Sequence, residues 1–276
     1  MTTVRAALIQ LRTPANPAAA LAHAEPLVRE AAAAGAQLIA TPEATNILQR
    51  DRTQLFQAVR PLEQDECVIG LRGLARELGA WLLIGSALVR REDGQLANRS
   101  VLVGADGAVK ATYDKIHMFD VDLPTGERHR ESALYTPGVQ ATVAQTPWGK
   151  IGLSICYDVR FAHLYRSLAK AGAEIITVPA AFTRPTGEAH WEILLRARAI
   201  ETAAFVLAPA QGGFHEDGRG TWGRSTIIGP WGEILAKAEH DEPCVVIADL
   251  DLEAVAKARA AIPALVNDRV FAEPGA

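Results

Sequence analysis

The chain has 276 residues, 49% hydrophobic and 22% charged, which is enough apolar material for a sizeable core and excludes a disordered chain. Its 28 Lys and Arg against 32 Asp and Glu leave a formal charge of −4, without the basic footprint of a nucleic-acid binder. Three scattered cysteines, Cys67, Cys156 and Cys244, make no disulfide framework, and no apolar run approaches the ~18 residues of a membrane span, so a cytoplasmic protein without membrane or nucleic-acid partners is expected.

Val4–Gln10 reads as a strand rather than a signal peptide, and the Ala-rich stretch from Pro17 to Ala34 as a helix stopped by Gly35. Gln37–Thr41 is a short strand ending at Pro42-Glu43. Pro61 to Leu78 is a second helix closed by Gly79, and Ala80–Val89 is a buried strand. Arg99–Val103 and Ala108–Tyr113 flank the turn signal Gly104-Ala-Asp-Gly107. Asp114–Gly138 is long, polar and irregular, the kind of loop that in compact domains carries function.

Thr142–Gln145 and Lys150–Ile155 form a second hairpin around Thr-Pro-Trp-Gly. A helix at Phe161–Ala171, a strand at Glu174–Val178, a loop at Pro179–Glu188, a helix at Ala189–Ala203 and a strand at Phe205–Pro209 follow. Ser225–Ile228, Ile234–Ala236 and Val245–Asp249 are the last sheet elements, before a helix at Leu252–Ile262 and an irregular tail over 264–276. Early strands alternate with helices and later ones pair through hairpins, which predicts layered α/β architecture with mixed sheets. No Pro/Gly/Ser-rich linker interrupts residues 1–276, so a single domain is expected.

Two motif matches lose their meaning in context. Gly218-Arg-Gly220-Thr-Trp-Gly223 fits a dinucleotide fingerprint literally but follows a polar loop and precedes a strand-like run, so it reads as a flexible Gly-rich loop. Gly152-Leu-Ser154-Ile-Cys156 lacks the closing glycine of a serine nucleophile elbow, and Ser154 and Cys156 share strand parity, which predicts one face for both. The seven histidines show no metal spacing, so neither metal nor cofactor is expected.

Chemistry concentrates at strand ends. Cys156 lies where Ile151–Ile155 meets a turn into a helix, a place where backbone N–H groups can hold an oxyanion. Glu43 follows one strand and could take a thiol proton, while Lys115 follows another and could stabilise an oxyanion. Taken singly, Cys156 also reads as a small buried hydrophobe, Glu43 as a solvated carboxylate, and Lys115 and Glu131 as surface charges. Together an acid, a Lys and a Cys can perform acyl transfer through a thioester without His or metal.

Thr41-Pro-Glu43, Tyr113-Asp-Lys115-Ile-His-Met-Phe-Asp-Val-Asp-Leu-Pro124 and Gly152-Leu-Ser-Ile-Cys156-Tyr-Asp158 occur in that order. They resemble the three catalytic segments of the carbon–nitrogen hydrolase (nitrilase) superfamily, over about Val4 to Ala264. Ala189-His-Trp-Glu-Ile-Leu-Leu-Arg-Ala-Arg-Ala-Ile-Glu201 and Gly229-Pro-Trp-Gly232 are similar to its Nit branch. The resemblance implies a four-layer α-β-β-α sandwich of two mixed sheets, assembled as a homodimer or larger homo-oligomer. It also implies Glu43 as general base, Lys115 as oxyanion stabiliser, Cys156 as nucleophile and Glu131 as the carboxylate supporting Lys115, with Tyr157 N–H as second oxyanion donor. Arg160 is expected at a substrate carboxylate or in a structural ion pair, and Phe119, Phe182 and Thr183 on the pocket wall.

Within the branch, Leu194–Glu201 and Ala210-Gln211-Gly-Gly-Phe-His215 look like amidases of small carboxylated amides. The implied substrate is deaminated glutathione, with 2-oxoglutaramate or succinamate (an omega-amidase), a nitrile, and a non-catalytic binding role as alternatives. Arg224 departs from the branch, where His is common, and Cys67 and Cys244 read as structural.

Overall fold

The computed structural model describes residues 3–124 and 126–272. Its first half runs β1 (Thr3–Gln10), α1 (Pro17–Ala33), β2 (Leu38–Ala40), α2 (Arg52–Ala58), α3 (Glu66–Leu78), β3 (Trp81–Arg90), β4 (Leu96–Val103) and β5 (Val109–Asp114). A small hairpin, β6 (Asp120–Asp122) and β7 (Arg128–Arg130), interrupts the long polar segment. The second half runs β8 (Thr142–Thr146), β9 (Gly149–Leu153), α4 (Ala162–Lys170), β10 (Ile175–Thr177), α5 (Arg184–Thr202), β11 (Phe205–Ala208), β12 (Gly212–Phe214) and β13 (Gly220–Trp222). It ends with β14 (Thr226–Ile228), β15 (Ile234–Lys237), β16 (Cys244–Asp251) and α6 (Glu253–Ala261).

The strands build two six-stranded mixed sheets. One has the order β16-β1-β2-β3-β4-β5, with β1, β2 and β3 parallel. The other has the order β15-β14-β11-β10-β9-β8, with β9, β10 and β11 parallel. Side-chain alternation assigns their faces. In the first sheet Val4, Ala6, Leu8, Leu38 and Leu83 join one core with Ile151, Leu153, Ile175 and Val206 of the second. The alternate residues Ala7, Ile9, Ile39 and Leu82 pack instead with Val28 of α1 and Leu71 of α3. Helices α4 and α5 cover the outer face of the second sheet, through contacts with β9, β11 and β14. The result is the four-layer α-β-β-α order that the resemblance implies.

Three boundaries differ from the sequence reading for local reasons. The stretch 61–78 is not one helix: Asp65 is extended (φ −77°, ψ 118°) and its carboxylate caps Val68 N at 2.9 Å, so α3 starts only at Glu66. Helix α5 starts inside the expected loop, at Arg184, because Pro185 suits a first helical turn. The Gly-rich stretch is a hairpin, with Gly212, Gly213 and Phe214 paired to Trp222, Thr221 and Gly220.

Candidate active site

Glu43, Lys115 and Cys156 lie just beyond the C-terminal ends of β2, β5 and β9, and the fold brings them together. The path of Glu43 is set by an irregularity in β3 between Ile84 and Ala87. A Cβ on Gly85 would stand 1.9 Å from Thr41 O and 2.5 Å from Pro179 Cβ, so only glycine allows this approach. Beside it, Ser86 N donates to Pro42 O (3.1 Å), Ala44 N to Ser86 Oγ (2.8 Å) and Thr45 N to Ser86 O (2.8 Å). Ala44 is left-handed (φ 56°), a conformation costing an L-residue about 1–2 kcal/mol. These bonds hold the chain in that turn and aim Glu43 inward.

Glu43 Oε1 accepts from Lys115 Nζ and from Asn98 Nδ2, both at 2.9 Å, and Oε2 accepts from Ala181 N at 2.8 Å. Lys115 Nζ also contacts Glu131 Oε1 (2.9 Å) and Oε2 (2.8 Å), and Glu131 Oε2 accepts from Phe119 N at 2.7 Å. Asn98 Nδ2 reaches Glu131 Oε1 at 3.3 Å as well. One ammonium and one amide thus tie two carboxylates together. Lys115 is 2% exposed and Glu43 6%, so breaking this buried ion cluster at either partner would strand a charge.

Cys156 (9% exposed) opens a tight turn in a left-handed conformation, φ 49°. Its N–H donates to Pro179 O at 2.9 Å, while Tyr157 N–H has no protein acceptor among the described residues. Fully buried Asp158 fixes the turn. Its Oδ2 accepts from Tyr113 Oη (2.7 Å) and Ile155 N (2.8 Å), and its Oδ1 accepts from His117 N (3.1 Å). Asp158 therefore fastens the cysteine turn to the segment that carries Lys115, a structural role. The shared face expected for Ser154 and Cys156 does not form, because β9 stops at Leu153. Ser154 Oγ lies 2.6 Å from Tyr165 Oη beneath α4 and bonds Thr177 O, while Cys156 lines a cavity.

The charges settle into one pattern. Burial and the facing Glu43 carboxylate push the Cys156 thiol well above its ordinary value. Burial alone would raise Glu43, but the Lys115 charge, the Cys156 thiol and the Ala181 N–H outweigh it and hold its carboxyl below the usual range. Burial would likewise lower Lys115, but the charges of Glu131 and Glu43 keep it well above an ordinary lysine. The resting site thus has a protonated thiol beside an ionised carboxylate and a charged lysine.

These groups line a cavity of about 450 Å³, within the range of roughly 300–1,000 Å³ usual for ligand pockets. Glu131, Tyr157, Phe119, Phe182 and Thr183 are on its wall. Arg160 is not: its guanidinium lies over the rings of Tyr157 and Phe182, 5.9 and 5.6 Å from their centroids, with Nη2 3.3 Å from His190 Nδ1. Both rings belong to residues of that wall. Sequence reasoning missed Asn98, whose only signal is an Asn in the apolar strand Leu96–Val103, and the cavity residues Tyr135 and Arg219.

The chain belongs to the carbon–nitrogen hydrolase family, whose model matches residues 5–260. It is 43% identical to the deaminated glutathione amidase of Yersinia enterocolitica, over 86% of this chain and 83% of that protein. It is 37% identical to omega-amidase NIT2 of Xenopus tropicalis, over 95% of this chain and 94% of that one. Among solved structures it resembles a mutant amidase of Nesterenkonia sp. AN1 with acrylamide added at its active-site cysteine (TM-score 0.77, 29% identity, 94% of this chain and 98% of that one). The protein is a carbon–nitrogen hydrolase of the Nit branch, acting on amides.

Proposed function

We propose that Cys156 attacks the carbonyl of a small carboxylated amide while Glu43 takes the thiol proton. Lys115 Nζ and Tyr157 N–H hold the developing oxyanion, and Glu131 keeps Lys115 in place. As the C–N bond breaks, protonated Glu43 gives its proton to the leaving amine. Water, deprotonated by the same carboxylate, then hydrolyses the thioester, and the proton returns to sulfur. The observation that carries this reading is the Glu43–Lys115–Glu131 ion cluster set against a protonated Cys156 in one cavity.

The substrate that fits best is deaminated glutathione, by likeness to the amidase relative and by a cavity roomy enough for its dipeptide end. Omega-amidase action on 2-oxoglutaramate or succinamate is the second reading, favoured by the NIT2 relative. The experiment is release of 2-oxoglutarate from deaminated glutathione and from 2-oxoglutaramate side by side, with Cys156→Ala as blank. Preference for the first supports the main reading, preference for the second replaces it, and equal turnover by Cys156→Ala sinks both.

Residues 1–276 act as one domain in this reading, and the core shared by both sheets supports it. A homodimer or larger homo-oligomer is part of the proposal, supported by exposed Ile193 and Ile200 on α5 and Trp231 beside it. So is a cytoplasmic location, which agrees with three free cysteines. Among the described residues no helix is long and apolar enough to cross a membrane.

A further inference from the structure

In the proposed reaction the two oxyanion donors come from different sheets. Lys115 follows β5 of the first, and Tyr157 N–H follows β9 of the second. The spacing of such donors matters, because a misplacement of about 1 Å can cost about a hundredfold in rate. Glu43 and Glu131 hold Lys115 Nζ. Those bonds fix the lysine end and leave the Tyr157 end to be fixed by other groups.

His117 stands two residues after Lys115 on the same segment and does not line the cavity. Its Nδ1 lies 2.6 Å from Asp158 Oδ1, and its own N–H donates to that oxygen at 3.1 Å. Asp158 Oδ2 is taken by Tyr113 Oη and Ile155 N. An ionised carboxylate only accepts, so the imidazole carries a proton on Nδ1 and donates it. The same ring lies flat on Phe161, with centroids 3.6 Å apart and planes 8° apart. Asp158 and Phe161 are the residues that close the turn Cys156–Arg160: Asp158 N donates to Ile155 O at 3.1 Å, and Phe161 N to Asp158 O at 2.9 Å.

Tyr157 is caught between two rings. Its own stands edge-on to Phe161, with centroids 5.3 Å apart, and to Phe119, at 5.0 Å. Phe119 lies two residues beyond His117, and its N–H donates to Glu131 Oε2 at 2.7 Å. One short segment, 115–119, thus carries the ammonium, reaches Asp158 and Phe161 through His117, and touches Tyr157 through Phe119. Within it, His117 supplies the side-chain hydrogen bond to the cysteine turn.

We propose that His117 is a positioning residue: by bracing the cysteine turn at Asp158 and Phe161, it sets the spacing between Lys115 Nζ and Tyr157 N–H. This inference deepens the amidase reading and rests on it. His117 acts on the stage at which the carbonyl oxygen gains charge, and not on the sulfur, whose base is Glu43.

The test compares His117→Gln and His117→Asn with the wild type, on whichever of deaminated glutathione and 2-oxoglutaramate the wild type turns over faster. The Asn amide nitrogen can take the place of Nδ1, whereas the longer Gln amide reaches toward that of Nε2. In His117→Gln, kcat is expected to fall about tenfold to a hundredfold with KM little changed, and His117→Asn is expected to recover most of that loss. The second readout is modification of Cys156 by methyl methanethiosulfonate, in which sulfur attacks sulfur, methanesulfinate leaves and no carbonyl oxyanion forms. Its rate should be the same in all three proteins. Wild-type kcat in His117→Gln overturns the proposal. A thiol rate that falls in step with kcat overturns it as well, since His117 would then hold the nucleophile and not the oxyanion donors. Phe161→Leu, which removes the stacked ring and keeps the Asp158 bonds, covers the case in which His117→Gln does not fold: kcat should drop severalfold with the thiol rate intact, and an unchanged kcat there overturns the proposal. A wild type that turns over neither amide defeats the amidase reading and this inference with it, whereas an active wild type matched by an equally active His117→Gln defeats the inference alone.

Discussion

Asn98 directs one amide nitrogen at two carboxylates, at 2.9 Å from Glu43 and 3.3 Å from Glu131. A donor to an ionised carboxylate favours the ionised form. Asn98→Ala is therefore expected to move the acid limb of the kcat/KM profile to higher pH, because Glu43 works as the ionised base, and to lower kcat/KM about tenfold to a hundredfold. An acid limb at its wild-type position would deny Asn98 this influence on Glu43. The wild-type limb itself belongs below the ordinary glutamate range, since activity rises with pH through the lowered Glu43 value. The thiol points the other way. Raised by burial and by Glu43, Cys156 is protonated at neutral pH, unlike a cysteine paired with imidazolium. Its modification by methyl methanethiosulfonate should accelerate continuously as pH rises past 7, and a rate already flat between pH 5 and 8 would contradict the assigned charges.

The β3 irregularity at Gly85 and Ser86 is the element that turns Glu43 inward, and it tolerates no side chain at Gly85. Gly85→Ala is expected to cost about 1–3 kcal/mol in urea unfolding, by overpacking, and to lower kcat with it, because the 41–45 turn must shift. Unaltered stability and kcat would show that this contact yields freely. Elements of this kind mark the limit of what sequence reasoning reaches. Thr41-Pro-Glu43, the Lys115 segment and Cys156 were legible because each follows an apolar strand, and strand ends are where side chains meet across a sheet edge. The pairing of β12 with β13 was not legible, since Gly212, Gly213 and Gly220 supply no alternating apolar pattern. Arg219 stayed hidden with it, in what read as a flexible loop. Asn98 was invisible for another reason: its partner Glu43 lies 55 residues away, and only tertiary structure joins them.

Across the molecule, the candidate site straddles the seam between the sheets. Glu43 and Lys115 come from the first sheet and Cys156 from the second. Links across the seam fix their spacing. Gln211, beyond β11, donates from Nε2 to Glu43 O (2.9 Å) and Thr13 Oγ1 (2.6 Å), and accepts from Thr13 N at 3.0 Å. Gln211→Leu would leave the buried Glu43 carbonyl and Thr13 N–H without these partners, at about 1–3 kcal/mol for each orphaned group. The expected result is a lower urea midpoint together with reduced kcat. Loss of stability with kcat intact would mean that the seam does not set the distance between base and nucleophile.

Strand β1 pairs along its whole length with β16, from Thr3 opposite Asp251 to Gln10 opposite Cys244. On the ribosome the first of these strands emerges long before its partner exists. Until then one edge of β1 offers a row of unpaired N–H and C=O groups, open to any passing strand. The sixth strand of the first sheet can therefore add only after nearly everything between has been made, while β1 to β5 pair with one another without it. The nascent chain should therefore be slow to complete this sheet and dependent on protection of that open edge until β16 arrives.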